Sequence, residues 1–183
     1  RGRDQLVGYG ENMPLDVLFV RDDDIPDLVQ EDVCDLGLMG LNVLEEKRLE
    51  LAARGVQAGF ETLLHLDYGR CRLAIAVPED APYAGAASLA DKRIATTYPH
   101  LLTRFLRDNA ITANIVTLSG AVEIAPRLGR AEAICDLVST GSTLQANHLR
   151  EVQTVLESHA VLVGTPVPLA PVKSDWVERL LMR

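Results

Sequence analysis

Short apolar runs alternate with helical patterns along all 183 residues, and this alternation sets the tightest limit on what the chain can fold into. Residues 15–20 (LDVLFV) read as a strand, followed by an Asp-rich turn and a helix over about 25–31. A second apolar run, 33–39, ends at Gly40. Residues 42–53 then carry helical periodicity, with Leu44 and Leu51 on one face and Gly55 as the stop. Further strands are expected at 71–77 (closed by Pro78), 93–97, 113–118, 131–138, 152–156 and 160–163. Helices are expected from Tyr98-Pro99-His100 to about Asp108, at 122–128 (closed by Gly129), at 143–149, and at 174–182 with Ser174 as N-cap. Strands separated by helices imply parallel βαβ units and an α/β fold.

Within this pattern lies a weak internal repeat. LFVRDDDIPDLVQEDVCDLGLMG is matched by TLSGAVEIAPRLGRAEAICDLVSTG. In each, a strand leads to a Pro (Pro26, Pro126) near the start of a short helix. An apolar strand carrying Cys-Asp-Leu follows, and then a Gly (Gly40, Gly141). The match predicts two similar α/β lobes, one centred near Asp35 and the other near Asp136. With crossovers at 65–70 and 157–159, the first lobe comprises 1–69 plus 153–183 and the second 70–152, with a ligand cleft between them. Ligands of open α/β sheets bind outside the carboxyl ends of strands, where both Asp-Leu motifs fall.

Composition narrows the ligands. Apolar residues make up 48% of the chain but aromatics only 4%, so the core must rest on Leu, Val, Ile and Ala. The net charge is −8 with no stripe of Lys and Arg, which argues against nucleic acid or an anionic membrane as partner. Phosphates would therefore have to be met by backbone amides, a few Arg side chains and a divalent cation. Cys34, Cys71 and Cys135 stand apart in apolar runs without a C-x-x-C pair, as expected of buried, reduced thiols in a cytoplasmic protein. No apolar stretch reaches the roughly 18 residues of a membrane span. Residues 1–5 lack an initiator Met and an apolar signal core, and read as a chain entered midway. Asp22-Asp23-Asp24 cannot all converge on one ion and instead suit a helix start before Ile25-Pro26. The four histidines show no zinc-like spacing.

The strongest local signal is Asp136-Leu137-Val138-Ser139-Thr140-Gly141-Ser142-Thr143. An apolar strand delivers four hydroxyls and a flexible Gly141 to the start of a helix, where backbone N–H groups and the helix dipole favour an anion. Ser142 and Gln145 also fit an S-x-x-Q capping box, so a capped strand-to-helix turn would need the same residues. No Lys follows the Gly, which excludes the Walker form of phosphate loop. Asp136, an acid inside an apolar run, must face a polar site or find a partner. There it could accept from ribose hydroxyls, hold Mg2+ through water, or cap neighbouring amides.

Three segments together carry a resemblance: Gly120 to Arg127 (GAVEIAPR), Ile134 to Thr143 (ICDLVSTGST) and Arg93 to His100 (RIATTYPH). In this order, and with Glu11-Asn12-Met13-Pro14, Arg21 to Pro26 and Asp35-Leu36-Gly37, the chain resembles the ATP phosphoribosyltransferases along nearly its whole length. The resemblance implies two lobes of the type II periplasmic-binding-protein kind. It also implies transfer of the phosphoribosyl group of phosphoribosyl pyrophosphate to N1 of the adenine of ATP, with Mg2+, as the first step of histidine biosynthesis. Asp136 to Thr143 would bind the ribose and 5-phosphate, with Glu123 lining the same site.

On the ATP side the candidates are Gly37, Gly40, Asn42, Asp67 and Tyr98, although many relatives carry Asp where this chain has Asn42. Tyr98 could stack on a base or pack beside Pro99, and the Gly37/Gly40 pair equally suits a tight turn. Arg70 and Arg72 are candidate phosphate contacts or surface ion pairs. No general base is assigned. The family further implies a homo-oligomer when full length, an N-terminal substrate loop that nothing here supplies and, in the long form whose motifs these are closest to, a C-terminal domain that binds histidine. Taken alone, the chain is expected to be weakly active or inactive and insensitive to histidine. The competing readings are a non-catalytic two-lobed small-molecule binding domain and a phosphoribosyl enzyme with another acceptor.

Overall fold

The computed structural model describes residues 6–166 and 168–182, so residues 1–5, read above as a chain entered midway, lie outside the described residues. The chain forms two compact units. Among described residues, the first takes in those up to Met39, Gly59–Leu64 and those from Val161 onward; the second comprises Gly40–Ala58 and His65–Ala160.

In the first unit, β1 (Val7–Tyr9) pairs antiparallel with β2 (Asp16–Leu18), Val7 opposite Leu18. Helix α1 (Ile25–Gln30) follows, with Pro26 in its first turn, where a missing N–H costs nothing. A three-stranded sheet has the order β3 (Leu36–Gly40), β10 (Ala160–Gly164), β4 (Glu61–His65). A Cβ on Gly37 would lie 2.6 Å from Ile25 Cγ2 and 3.0 Å from Val29 Cγ2, so the absence of a side chain lets α1 lie close on β3. Strand β4 has no counterpart among the expected elements, because its polar and apolar residues do not alternate cleanly. The last helix, α5 (Pro171–Leu181), starts earlier than the Ser174 cap predicted: Ala170 is the N-cap, Pro171 opens the helix, and the Ser174 N–H already donates to the Ala170 carbonyl.

The second unit holds α2 (Leu41–Ala53), β5 (Cys71–Pro78), β6 (Arg93–Thr96), α3 (Pro99–Asp108), β7 (Asn114–Thr117), β8 (Ala133–Val138), α4 (Ser142–Ala146) and β9 (Leu149–Ser158). Its sheet has the order β7-β6-β8-β5-β9. Strand β6 runs parallel to β7 and β8, but β5 runs antiparallel to both β8 and β9. The sheet is therefore mixed, not wholly parallel. A strand buried on both faces reads as one apolar run whichever way its neighbours point, so the pattern carries no sign of direction.

Burial of both faces is visible along β5. Leu73, Ile75 and Val77 enter one core cluster with Leu101 and Leu102 of α3, whereas Ala74 and Ala76 enter another with Val122, Ile134 and Leu144. The helix expected at 122–128 shortens to a 3₁₀ turn, Val122–Ile124, followed by irregular turns. Of the cysteines only Cys135 is fully buried, and that burial raises its thiol pKa, keeping it protonated; Cys34 and Cys71 are partly exposed.

The unit boundaries also differ from the expected lobes. Residues 40–58, 65–69 and 153–160 cluster with the second unit. Strand β9 pairs with β5 as far as Ser158 opposite Cys71, which binds its whole length to that sheet. Helix α2 is tied there as well, because the Glu46 carboxylate accepts from the N–H groups of His100 (2.8 Å) and Leu101 (2.8 Å). Glu46 thus caps α3, whose own N-cap Tyr98 supplies no side-chain bond.

Candidate functional site

Strand β8 ends at Val138 in the middle of the five-stranded sheet and releases the chain into Ser139 and Thr140, both exposed. Gly141 then takes φ +83°, a left-handed turn that a Cβ would strain, and α4 begins. Ser142 and Thr143 are exposed too, so all four hydroxyl side chains of the loop are open. The expected capping box is not formed. Gly141 is the N-cap and offers no side chain, Gln145 donates its N–H to the Gly141 carbonyl (3.1 Å), and the Ser142 hydroxyl is bonded to that of Thr140 (3.0 Å). The Thr140 hydroxyl accepts the Ser142 N–H at the helix start (3.4 Å), while no N-cap side-chain bond is formed. Leu137 and Val138 contribute backbone only, since their side chains pack in the two core clusters on opposite faces of the sheet.

Asp136 sits on β8 opposite Ala74 of β5. Its Oδ1 accepts the Leu137 N–H at 2.8 Å. Burial raises its pKa above the usual carboxylate range, the Leu137 bond opposes this, and the nearby Glu123 carboxylate raises it further. Glu123 is delivered by the 3₁₀ turn after Gly120 (φ +156°) and Ala121 (φ +50°). The two carboxylates are thus close enough for their charges to repel, and among the described residues neither forms an ion pair. Glu132, just before the same strand, is the opposite case: Arg93 and its backbone N–H pull that carboxyl down to about 2. Asp136 and Glu123 are kept without such a cation.

The two candidate arginines are already engaged. Arg72 makes a two-pronged contact with Glu151 (2.6 and 2.5 Å) and reaches the Ser139 carbonyl at 3.5 Å. It braces the loop from below. Arg70 is ion-paired with Asp67, both exposed.

Of the proposed ATP-side residues, Gly40, Asn42 and Tyr98 come together in the second unit. Gly37 lies under α1 in the first unit. Asn42 is 2% exposed and closes a buried triad: its N–H donates to Ser158 Oγ (3.1 Å), Ser158 Oγ donates to Asn42 Oδ1 (2.7 Å), and Asn42 Nδ2 donates to Tyr98 Oη (3.1 Å). Asn42 also folds over Gly40, where a Cβ would lie 2.4 Å from its Oδ1. Tyr98 is 9% exposed and packs in the core of the second unit. Ser158, Glu46, Glu151 and the fully buried Thr96, whose Oγ1 donates to the Cys135 carbonyl (2.7 Å), carry no local sequence signal for these roles. Their partners lie far away along the chain, and no local pattern marks them.

Comparison with known proteins agrees with the geometry. A family model described as ATP phosphoribosyltransferase (HisG) matches residues 21–183. The ATP phosphoribosyltransferase (HisG:HisZ) complex from Thermotoga maritima is similar over 100% of this chain and 84% of its own, with TM-score 0.77 and 24% identity. A Xanthomonas citri protein bound to ATP is similar over 90% of this chain and 69% of its own (TM-score 0.64, 14% identity). The alkanesulfonate-binding protein from Xanthomonas axonopodis pv. citri is similar over 87% and 57% (TM-score 0.61, 17% identity). At these identities the structures define the fold, an α/β architecture of the two-lobed, type II periplasmic-binding-protein-like class. The family model covers most of the chain, and this chain belongs to the ATP phosphoribosyltransferase family.

Proposed function

We propose that the loop after β8 holds phosphoribosyl pyrophosphate while its ribosyl carbon passes to N1 of the adenine of ATP, releasing pyrophosphate in the first step of histidine biosynthesis. The observation that carries this reading is the juxtaposition of an open hydroxyl loop (Ser139, Thr140, Ser142, Thr143) with two carboxylates, Asp136 and Glu123, that lack a cation. The 5-phosphate is met by loop amides and hydroxyls, while Asp136 and Glu123 accept from the ribose hydroxyls. As pyrophosphate leaves, the ribosyl centre gains positive charge, and these carboxylates stabilise it in place. No side chain here is needed to take a proton before the bond forms.

Magnesium fits the donor set. Two carboxylates without a cation partner are hard oxygen ligands suited to Mg2+ through water. Bound with the donor, Mg2+ would neutralise the departing pyrophosphate. Cytoplasmic location follows from the same reading; no helix among the described residues is long and apolar enough to cross a membrane. Assembly with further subunits is supported by the β1–β2 pair and its flanks, where Leu6, Tyr9 and Phe19 are 68%, 74% and 59% exposed.

Incubating the full-length protein with phosphoribosyl pyrophosphate, ATP and Mg2+ tests the proposal. Phosphoribosyl-ATP and pyrophosphate should appear in equal amounts. Neither product would favour a binding domain, and pyrophosphate formed only with another acceptor would favour a different transferase.

A further inference from the structure

A second polar cluster gathers where the chain passes between units, with its Glu157 opposite Arg72 of β5. His65 ends β4, and His159 is the single residue between β9 and β10. His65 is the second unit's first residue after Leu64 of the first, and His159 is its last but one before Val161 of the first. Their backbones are held in place: Leu66 N–H donates to the Ala160 carbonyl (2.9 Å), Ala160 N–H to the Tyr68 carbonyl (2.9 Å), and Leu41 N–H to the His159 carbonyl (2.9 Å). The two rings approach with His65 Nδ1 2.8 Å from His159 Nε2, centroids 5.1 Å apart and planes tilted by 50°. They line a recess of about 570 Å³ with Asp67, Arg70, Glu157 and Ser158.

We propose that His65 Nδ1 and His159 Nε2 form a two-histidine chelating site for a late divalent transition metal such as Zn2+, Cu2+ or Ni2+. Metal–nitrogen bonds of about 2.0–2.1 Å place two ligands at a right angle about 2.9 Å apart and tetrahedral ones about 3.3 Å apart. Chelation requires both rings to turn from this direct 2.8 Å N···N contact until their lone pairs meet at one point. In the metal-free pair a proton must lie between the two nitrogens. On binding it moves to His65 Nε2, and His159 keeps its proton on Nδ1, so both imidazoles coordinate in the neutral form. Water fills the remaining positions. Glu157 in the same recess adds negative charge that favours a cation, while Asp67 is balanced by its ion pair with Arg70. Imidazole selects late transition metals, whereas Mg2+ prefers oxygen, so this site is separate from any Mg2+ held beside Asp136. A metal here would clip together the two chain segments that run between the units.

The test uses the full-length protein, stripped with chelator and titrated with ZnCl2 by calorimetry in excess MgCl2, and with CuCl2 followed by electron paramagnetic resonance. The wild type should bind Zn2+ despite the Mg2+, and its Cu2+ spectrum should carry splitting from two imidazole nitrogens. His65→Gln and His159→Gln should each weaken Zn2+ by about tenfold or more and reduce the splitting to one nitrogen, while His148→Gln, on an exposed side chain elsewhere, should change neither. Unaltered Zn2+ binding in His65→Gln, displacement by Mg2+ at equal concentration, or a wild-type spectrum with fewer than two nitrogens would each overturn the proposal. The wild-type spectrum decides the matter even if a variant fails to fold, and phosphoribosyl transfer does not enter the readout.

Discussion

Two strand-to-helix turns in this protein share the pattern Cys-Asp-Leu, apolar residues and Gly, yet they end in opposite states. After β3, Gly40 leads into α2 and Asn42 folds back over it, bonded to Ser158 and Tyr98 and closed to solvent. After β8, Gly141 leads into α4, the hydroxyls of Ser139, Thr140, Ser142 and Thr143 stay open, and nothing lies within 4 Å of where a Gly141 Cβ would be. The acids differ likewise. Asp35 is exposed and paired with Lys173 (2.7 and 2.9 Å), whereas Asp136 is partly buried beside a second carboxylate. One turn uses its polar groups to hold the fold, and the other keeps them available. A polar residue near a helix start therefore says little until its partners are known.

If this contrast is right, substitutions in the second turn should harm turnover and those in the first should harm stability. The largest effect is expected for Asp136→Asn, which removes charge facing the ribosyl centre. It should lower kcat/KM for pyrophosphate release by about 10²-fold or more while the protein still folds, and near-wild-type turnover would remove Asp136 from the site. Next comes Thr143→Ala, whose lost phosphate contact of about 1.5–3 kcal/mol should raise KM for phosphoribosyl pyrophosphate roughly tenfold or more, and that for ATP less. Because Thr143 makes no cap bond, its Tm should not move; equal loss for both substrates with a lower Tm would make this turn structural after all.

Asn42→Ala should show the reverse. Losing two buried side-chain bonds costs about 2 kcal/mol, a fall of several degrees in Tm for a chain of this size, with KM values little changed in the folded protein. A large rise in KM for ATP without loss of Tm would return Asn42 to the ATP side. The smallest effect is electrostatic. A carboxyl whose folded pKa is raised destabilises the native state above that pKa, and stability falls as pH rises from the ordinary 3.8 through the folded value. Asp136→Asn should thus raise Tm slightly at neutral pH, and the gain should vanish below about pH 4. A Tm gain that persists unchanged in acid would point to packing, not charge.

Much of the fold was legible because hydrophobic periodicity records burial locally. Helix α2 was expected at 42–53 and runs from Leu41 to Ala53; α3 ends at Asp108 as read; β5, β6 and β8 lie within the apolar runs assigned to them. Short elements fared worse. The S-x-x-Q and Ser174 caps failed because each needs a side chain to reach a specific N–H, and backbone alternatives in Gly141 and Pro171 were available. For the site, the loop from Asp136 to Thr143 was read from contiguous residues, and its open geometry suits that reading. The candidates drawn from elsewhere, Asn42, Tyr98, Arg70 and Arg72, turned out to be held by Ser158, by one another, by Asp67 and by Glu151.

The sequence by itself determined the α/β class, the family and the phosphate-loop candidate, since each rests on neighbouring residues whose spacing is preserved in the chain. Strand pairing and packing alone set β5 against β8 and β9, made Asn42 a buried brace, and brought His65 and His159 together across 94 residues. The reason is physical. Periodicity reports whether a residue is buried, but the identity of its partner is set by strand pairing and packing between segments far apart along the chain.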